Sequence, residues 1–189
     1  MNNKRTSHKA VRSLCEGAIM IALAEILGFL PLYKMPWGGS VDLAMLPIFV
    51  FCVRWGFGPG MIVSFAHGIL QMLFGGGVAY GWQSILGDYL IAYAVLGVAG
   101  LFYKMKGGFY WGVLVGCVAR FLVHYVVGAT VWAEYMPETF FNMTMTSPWI
   151  YSFLYNIVYM AIDCIIILVI GFLLNKTPAK KYLAPFEKV

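Results

Sequence analysis

The stretch Arg120-Phe-Leu-Val-His124-Tyr-Val-Val-Gly128-Ala-Thr-Val-Trp132, followed by Glu134 to Pro148 and then Trp149-Ile-Tyr151-Ser-Phe-Leu-Tyr155-Asn156, decides how the chain is read. It has the apolar background of one membrane helix, a loop and the start of the next. It also carries polar and aromatic groups where a plain anchor would carry Leu and Val. Polar side chains inside lipid are costly, and they either pair with one another or mark a pathway or a site. Function is therefore sought here first.

The rest of the composition agrees with a membrane setting. Of 189 residues, 61% are hydrophobic and 11% charged, with mean hydropathy +0.80. A soluble domain of this length exposes too much surface to hide that apolar content. The apolar runs are too continuous for the alternating pattern of a barrel, which leaves helices as the way to satisfy every backbone group in lipid. The fold class expected is an all-α integral membrane protein of one membrane domain, 1–189. Cys15, Cys52, Cys117 and Cys164 lie far apart inside apolar runs, with no CxxC or Cys/His spacing. They read as small buried hydrophobes, not as a disulfide framework or zinc site. Basic residues before an apolar run, with Ala22-Leu23-Ala24, imitate a signal peptide. The run continues to Leu32, so it is read as an uncleaved first span.

Six spans are expected, at about 14–32, 41–53, 61–74, 84–103, 109–132 and 149–174. Pro31, Pro36 and Gly38-Gly39 break the chain after the first, and Gly56-Phe-Gly58-Pro59-Gly60 reads as a tight turn between the second and third. Spans two and three fall short of the roughly 20 residues of an isolated crossing, which leaves a re-entrant arrangement open for either. Gly75-Gly76-Gly77 opens a further loop containing Tyr80 and Trp82. With the N-terminus inside, the inner segments hold Lys4, Arg5, Lys9, Arg12, Arg54, Lys104, Lys106, Lys176, Lys180, Lys181 and Lys188. The outer loops hold only Lys34, and Arg120 lies within span five. That bias places both termini in the cytoplasm. No GxxxxGK[ST] run is present, so any ATP-driven transport must use an ATPase on another chain.

This topology gathers an unusual set of groups in the outer half of the membrane. Trp37 and Asp42 flank the start of span two, His67 lies midway along span three, and Asp88 and Tyr89 are one turn into span four. Arg120, His124, Gly128 and Trp132 recur every four residues along one side of span five, and Tyr151, Tyr155 and Asn156 open span six, with Tyr159 and Asp163 deeper. Carboxylates, Trp and Tyr rings, His and Asn suit a compact organic cation with hydrogen-bonding edges. Plainer readings compete. Trp37, Trp82, Trp132, Trp149 and Tyr151 all suit an interfacial aromatic belt, and His67 suits an interhelical hydrogen bond. Arg120 reads as the structural partner of an intramembrane acid, Glu25 or Asp163. Gly17, Ala18 and Ala22 form a small-residue stripe on span one, as do Gly112 and Gly116 on span five. Such stripes serve either internal packing or docking onto a partner.

The residues Gly38-Gly39-Ser40-Val41-Asp42-Leu-Ala-Met-Leu-Pro47-Ile, Phe51-Cys-Val-Arg54-Trp55-Gly56, Gly87-Asp88-Tyr89, Arg120 through His124 and Gly128 to Trp132, and Trp149-Ile-Tyr151-Ser with Tyr155-Asn156 resemble the thiamine-specific substrate-binding membrane subunit (S component) of energy-coupling factor (ECF) transporters. The matches run from about Ala18 to Met160, in the same order and at similar spacing. The resemblance implies a six-helix fold in the bacterial plasma membrane. It implies thiamine bound near the outer face under a lid formed by the loop between spans one and two. Expected substrate-binding residues are Trp37, Asp42, His67, Asp88, Tyr89, His124, Trp132, Tyr151 and Asn156; some family members have Glu at positions 42 and 88 and Trp at 67. The implied partners are a transmembrane coupling subunit, docked on Ala18 and Ala22, and two cytoplasmic ATPases. No cofactor, metal, nucleic acid or covalent chemistry is expected. The alternatives are the same scaffold for another vitamin or a thiamine precursor, and a small intramembrane enzyme using Asp88 and His124 as acid and base.

Overall fold

A computed structural model of the chain describes residues 2–35, 39–74, 79 and 81–188. Helix α1 spans Asn2–Gly28, α2 Met45–Trp55, α3 Phe57–Phe74, α4 Gly81–Phe102, α5 Gly108–Thr130 and α6 Pro148–Asn175. Among the described residues α3, α4, α5 and α6 are long and apolar enough to cross a membrane, while α2 is apolar but has only 11 residues. Two antiparallel hairpins sit in the loops. Strand β1 (Tyr33–Lys34) pairs with β2 (Ser40–Val41) between α1 and α2, and β3 (Thr139–Phe140) pairs with β4 (Met143–Thr144) between α5 and α6.

Several boundaries differ from the sequence reading for local reasons. Span one was expected at 14–32, but the helix ends at Gly28 because the chain turns into the β1–β2 hairpin, where the Leu32 N–H bonds the Val41 carbonyl at 2.8 Å. The same hairpin claims Val41, so the helix of span two starts at Met45. The expected tight turn at 56–60 reduces to one residue. Gly56, at φ +85°, carries the break, and Gly58 and Pro59 belong to the first turn of α3, where the missing Pro N–H has no helical partner to lose. Helix α6 begins as its sequence suggests, with Pro148 at the first position and Ser147 capping the Trp149 N–H at 3.3 Å. Pro36, Trp37, Gly38, Gly75, Gly76, Gly77 and Tyr80 lie outside the described residues.

The core is built around α2. Met45, Ile48, Phe49, Phe51, Cys52 and Val53 are essentially solvent-free, so this helix is apolar on all sides and enclosed by α1, α3, α4 and α5. The last part of α4, Val95–Phe102, tightens to 3₁₀ geometry and wedges between α3 and α5. Gly97 permits that approach, since a Cβ there would lie 2.6 Å from the Met61 Cα. At the end of the bundle that holds the termini, Arg54 is buried. Its guanidinium pairs with Glu16 of α1 and donates to the Lys181 carbonyl at 3.1 Å, and Trp55 stacks on Phe186 at 4.6 Å. The C-terminal turns, Pro178–Leu183 and Phe186–Lys188, thereby close this end. Exposed Lys9 pairs with Glu187, and that hydrogen bond holds the Glu187 carboxyl below its ordinary range.

All four cysteines are free, and the reading of all four as buried is corrected. Cys52 and Cys117 are buried, Cys164 is half-buried, and Cys15 is exposed on the outward face of α1. Of the span-one stripe, Gly17 packs inward against Val63 and Phe51, whereas Ala18 and Ala22 face outward. Gly112 and Gly116 are spent internally, against Ala99 and Phe49.

Overpacking a close helix contact costs about 1–3 kcal/mol, so Gly97→Ala is expected to lower the melting temperature of the purified protein. Gly58→Ala, where a Cβ meets nothing within 4 Å, serves as the matched control and is expected to leave melting unchanged.

Candidate functional site

At the opposite end of the bundle lies a cavity of about 310 Å³, within the size range of small-molecule pockets, roughly 300–1,000 Å³. Its roof comes from the β1–β2 loop, through Lys34, Met35, Gly39, Ser40 and Asp42. Its walls come from α3, α4, α5 and α6.

The α4 wall depends on an irregular helix. Residues Ile85–Ile91 form a π-helix, and the Ala92 N–H reaches back five residues to the Gly87 carbonyl. Such segments are frequent at functional sites because they re-aim side chains. Here Asp88, Tyr89 and Tyr93 all line the cavity. Asp88 is met by three donors: Ser84 Oγ at 2.9 Å, His124 Nδ1 at 3.0 Å and Trp132 Nε1 at 2.8 Å. His124 is on α5 and Trp132 lies two residues beyond its end, so the carboxylate ties the last turns of α5 to the start of the following loop.

The tautomer of His124 follows from its other neighbour. Arg120 Nε lies 3.3 Å from His124 Nε2, and a guanidinium can only donate. Nε2 therefore accepts, Nδ1 carries the proton, and a neutral imidazole donates to Asp88. The Arg120 guanidinium also lies 4.1 Å from the centre of the Tyr93 ring, a cation–π contact. This corrects the expected ion pair of Arg120 with Glu25 or Asp163. Glu25 is engaged by His67 Nδ1 at 2.7 Å and Gln71 Nε2 at 3.1 Å, and Asp163 Oδ1 accepts the Asp42 main-chain N–H at 3.0 Å.

The α6 wall is a ladder of tyrosines at four-residue spacing. Tyr151 and Tyr155 have ring centres 5.7 Å apart, Tyr155 and Tyr159 6.0 Å, and Phe140 from β3 meets Tyr151 edge-on at 5.2 Å. Asn156 lines the cavity but spends its amide on the protein. Its Nδ2 donates to the Ser152 carbonyl at 2.8 Å and reaches the His124 carbonyl at 3.4 Å, and its Oδ1 accepts from Tyr159 at 2.6 Å. Asp42 is likewise engaged, by Ser40 Oγ at 2.6 Å and the Ala44 N–H at 2.8 Å.

Of the residues singled out from sequence, Asp42, Asp88, Tyr89, His124, Trp132, Tyr151 and Asn156 are brought to one cavity. His67 is not. It is fully buried behind the wall, edge-on to Tyr93 at 5.0 Å, and its side of the helix reaches the cavity only through Gln71, four residues on. Trp37 lies outside the described residues. The sequence places Tyr155, Tyr159 and Asp163 in the same group without assigning them contacts, and gives no sign of Lys34, Ser40, Gln71, Tyr93 and Ser152, which also line the cavity. The four-residue recurrence of Tyr151, Tyr155 and Tyr159 was the available signal for Tyr155 and Tyr159. The cavity lining holds three carboxylates, Asp42, Asp88 and Asp163, against two cations, Lys34 and Arg120. With His124 neutral, Asp88 is bound by neutral donors alone, and its carboxylate and the surrounding rings suit a positively charged guest bearing flat rings.

Fold and cavity together define a helical multi-pass membrane protein built around an internal acidic and aromatic chamber. Residues 14–183 match the family described as Thiamine transporter protein (Thia_YuaJ), and the chain belongs to that family. It is 33% identical to the thiamine transporter ThiT of Bacillus subtilis (strain 168), over 87% of this chain and 92% of that protein. It is 28% identical to the thiamine transporter ThiT of Lacticaseibacillus paracasei (strain ATCC 334), over 79% of each. The solved structure of ThiT from Listeria monocytogenes superposes with a TM-score of 0.81 at 25% identity, covering 94% of this chain and all of that one. The family is one of transport proteins, not enzymes, and this chain is a multi-pass protein of the bacterial plasma membrane.

Asn156 joins α5 to α6, and its removal strands the Tyr159 hydroxyl and a carbonyl in a buried site. Asn156→Ala is expected to cost about 2 kcal/mol, read as a lower melting temperature of the ligand-free protein in detergent.

Proposed function

We propose that this chain is the thiamine-binding membrane subunit of an ECF-type transporter, taking up thiamine from the outer face of the membrane. The single observation that carries the reading is Asp88. It is held ionised at the cavity by Ser84, His124 and Trp132, and it faces a tyrosine ladder across the space. Thiamine is a thiazolium cation joined to an aminopyrimidine. Its charge suits the Asp88 carboxylate, and its two flat rings suit aromatic faces. The pyrimidine amine matches the acceptor capacity left on Asp88, whose Oδ1 accepts only one bond, from His124. Asp42, Tyr89, His124, Trp132, Tyr151 and Asn156 complete the proposed site, Asn156 by fixing Tyr159 and the α5–α6 spacing.

The proposed arrangement is one membrane domain over residues 1–189, with six crossings and both termini in the cytoplasm. It rests on the excess of Lys and Arg at the end of the bundle that carries Arg54 and the C-terminal turns. The cavity then opens toward the outer face. No nucleotide-binding motif is present, so the energy comes from partner ATPases through a membrane-embedded coupling subunit. Ala18 and Ala22, both outward-facing on α1, form the proposed docking stripe, since small side chains admit a second helix closely.

Nanomolar thiamine is expected to quench the intrinsic fluorescence of the purified protein, and riboflavin and biotin are expected not to. A response to either of those vitamins instead of thiamine assigns the scaffold to another substrate. Asp88→Ala is expected to weaken thiamine binding by about 2–5 kcal/mol while the protein remains folded, as checked by its elution profile and helical circular dichroism. Ala22→Leu is expected to leave thiamine titrations unchanged and to abolish co-purification with the coupling subunit and ATPases. Retention of the partners would move the docking surface elsewhere.

A further inference from the structure

Asp163 is the most deeply placed acid of the cavity and is 2% exposed. A carboxylate buried at that depth in a membrane helix requires compensation. Among the described residues it makes no ion pair, and the one hydrogen bond it accepts comes from the main-chain N–H of Asp42, at 3.0 Å from Oδ1. That donor belongs to the roof, one residue past β2, where the hairpin ends. The Asp42 side chain cannot substitute for it, because a carboxylate has no proton to donate; its oxygens accept from Ser40 Oγ and the Ala44 N–H. The roof touches α6 at a second point, where the Gly39 N–H donates to the Tyr155 hydroxyl at 3.2 Å. The two anchor points match in scale. Residues 155 and 163 are eight apart on a helix, about 12 Å, and residues 39 and 42 are three apart in extended chain, about 10 Å.

We propose that Asp163 is a positioning residue that latches the roof loop onto α6 through the main chain of Asp42. The contact is one of mutual need. With the roof in place, the buried carboxylate has its donor and the last residue of the hairpin is fixed. With the roof lifted, the buried Asp163 carboxyl loses its donor until water or a ligand donor reaches it, and leaving such a hydrogen bond unmade is the expensive outcome. Opening is thereby tied to hydration of the cavity, and a guest beneath the roof is retained by a bond that it does not itself make. Because the donor is a backbone N–H, the latch is independent of the side chain at position 42. For retention of the guest, the inference rests on the reading of the cavity as a thiamine site; the latch itself does not.

The test compares Asp163→Ala, which removes the acceptor, with Asp163→Asn, which keeps an acceptor oxygen at the same reach. Hydrogen–deuterium exchange of ligand-free protein, with fragmentation resolving residues 39–44, is expected to show roughly tenfold faster exchange at the Asp42 amide in Asp163→Ala. Asp163→Asn is expected to restore most of the protection. Thiamine dissociation is expected to accelerate by a similar factor in Asp163→Ala, with association little changed. Equal exchange at residue 42 in the alanine variant and the unsubstituted protein overturns the latch, as does an asparagine variant exchanging as fast as alanine. An unchanged dissociation rate with faster exchange overturns its role in retention. If the alanine variant does not fold, Asp163→Ser, too short to reach the amide but still polar, replaces it with the same expected outcomes. Absence of thiamine binding by the unsubstituted protein defeats the functional reading and leaves the exchange comparison to decide the latch.

Discussion

A carboxylate within the thickness of a bilayer must be met by donors, and in this chain that requirement ties the helices together. Asp88 on α4 is satisfied by His124 from α5 and Trp132 just beyond it, and Glu25 on α1 by His67 and Gln71 from α3. Glu16 on α1 meets Arg54 from α2, and Asp163 on α6 meets the backbone of the roof loop. Each of these acids therefore joins two elements that apolar packing alone would leave free to slide. Lipid offers little hydrophobic drive between helices, so these contacts, with the close approaches at glycine, set the register of the bundle.

Helix positions and the cluster on α5 were legible because they rest on local pattern. Apolar runs mark helices, and the four-residue recurrence of Arg120, His124, Gly128 and Trp132 marks one face. What failed depended on partners distant in sequence. Arg120 was paired with Glu25 or Asp163 because a lone cation in lipid needs an anion. The chain instead gives Glu25 two side-chain donors and Asp163 a backbone donor, which no side-chain pattern records. His67 stands at a position the resemblance puts in the site, but it fills the other role open to it, an interhelical hydrogen bond to Glu25, because position along a helix does not fix which way a side chain faces. Lys34 and Ser40 were missed because a two-residue strand pair carries no periodicity.

The π-helical segment is a separate failure of legibility. On a regular α-helix, residues three and four apart share a face, so Asp88 and Tyr93, five apart, would diverge. The wider turn at Ile85–Ile91 brings Asp88, Tyr89 and Tyr93 to the same cavity while Ser84 still reaches Asp88. Counting residues with an α period therefore understates the number of groups that α4 contributes. The departure costs regular hydrogen bonding, and the bonds from α5 to Asp88 help offset it.

Arg120 puts a positive charge in the same chamber as the Asp88 carboxylate, and its geometry keeps the two apart. Its charge lies over the Tyr93 ring, and its Nε donates to His124 Nε2, which fixes the imidazole as the neutral tautomer with its proton on Nδ1. A protonated imidazole would place a second donor against the guanidinium and would also neutralise Asp88. By excluding that state, Arg120 leaves Asp88 bound by three neutral donors and its negative charge unspent. A cation held on Tyr93 thus leaves the Asp88 carboxylate without a charged partner among the described residues.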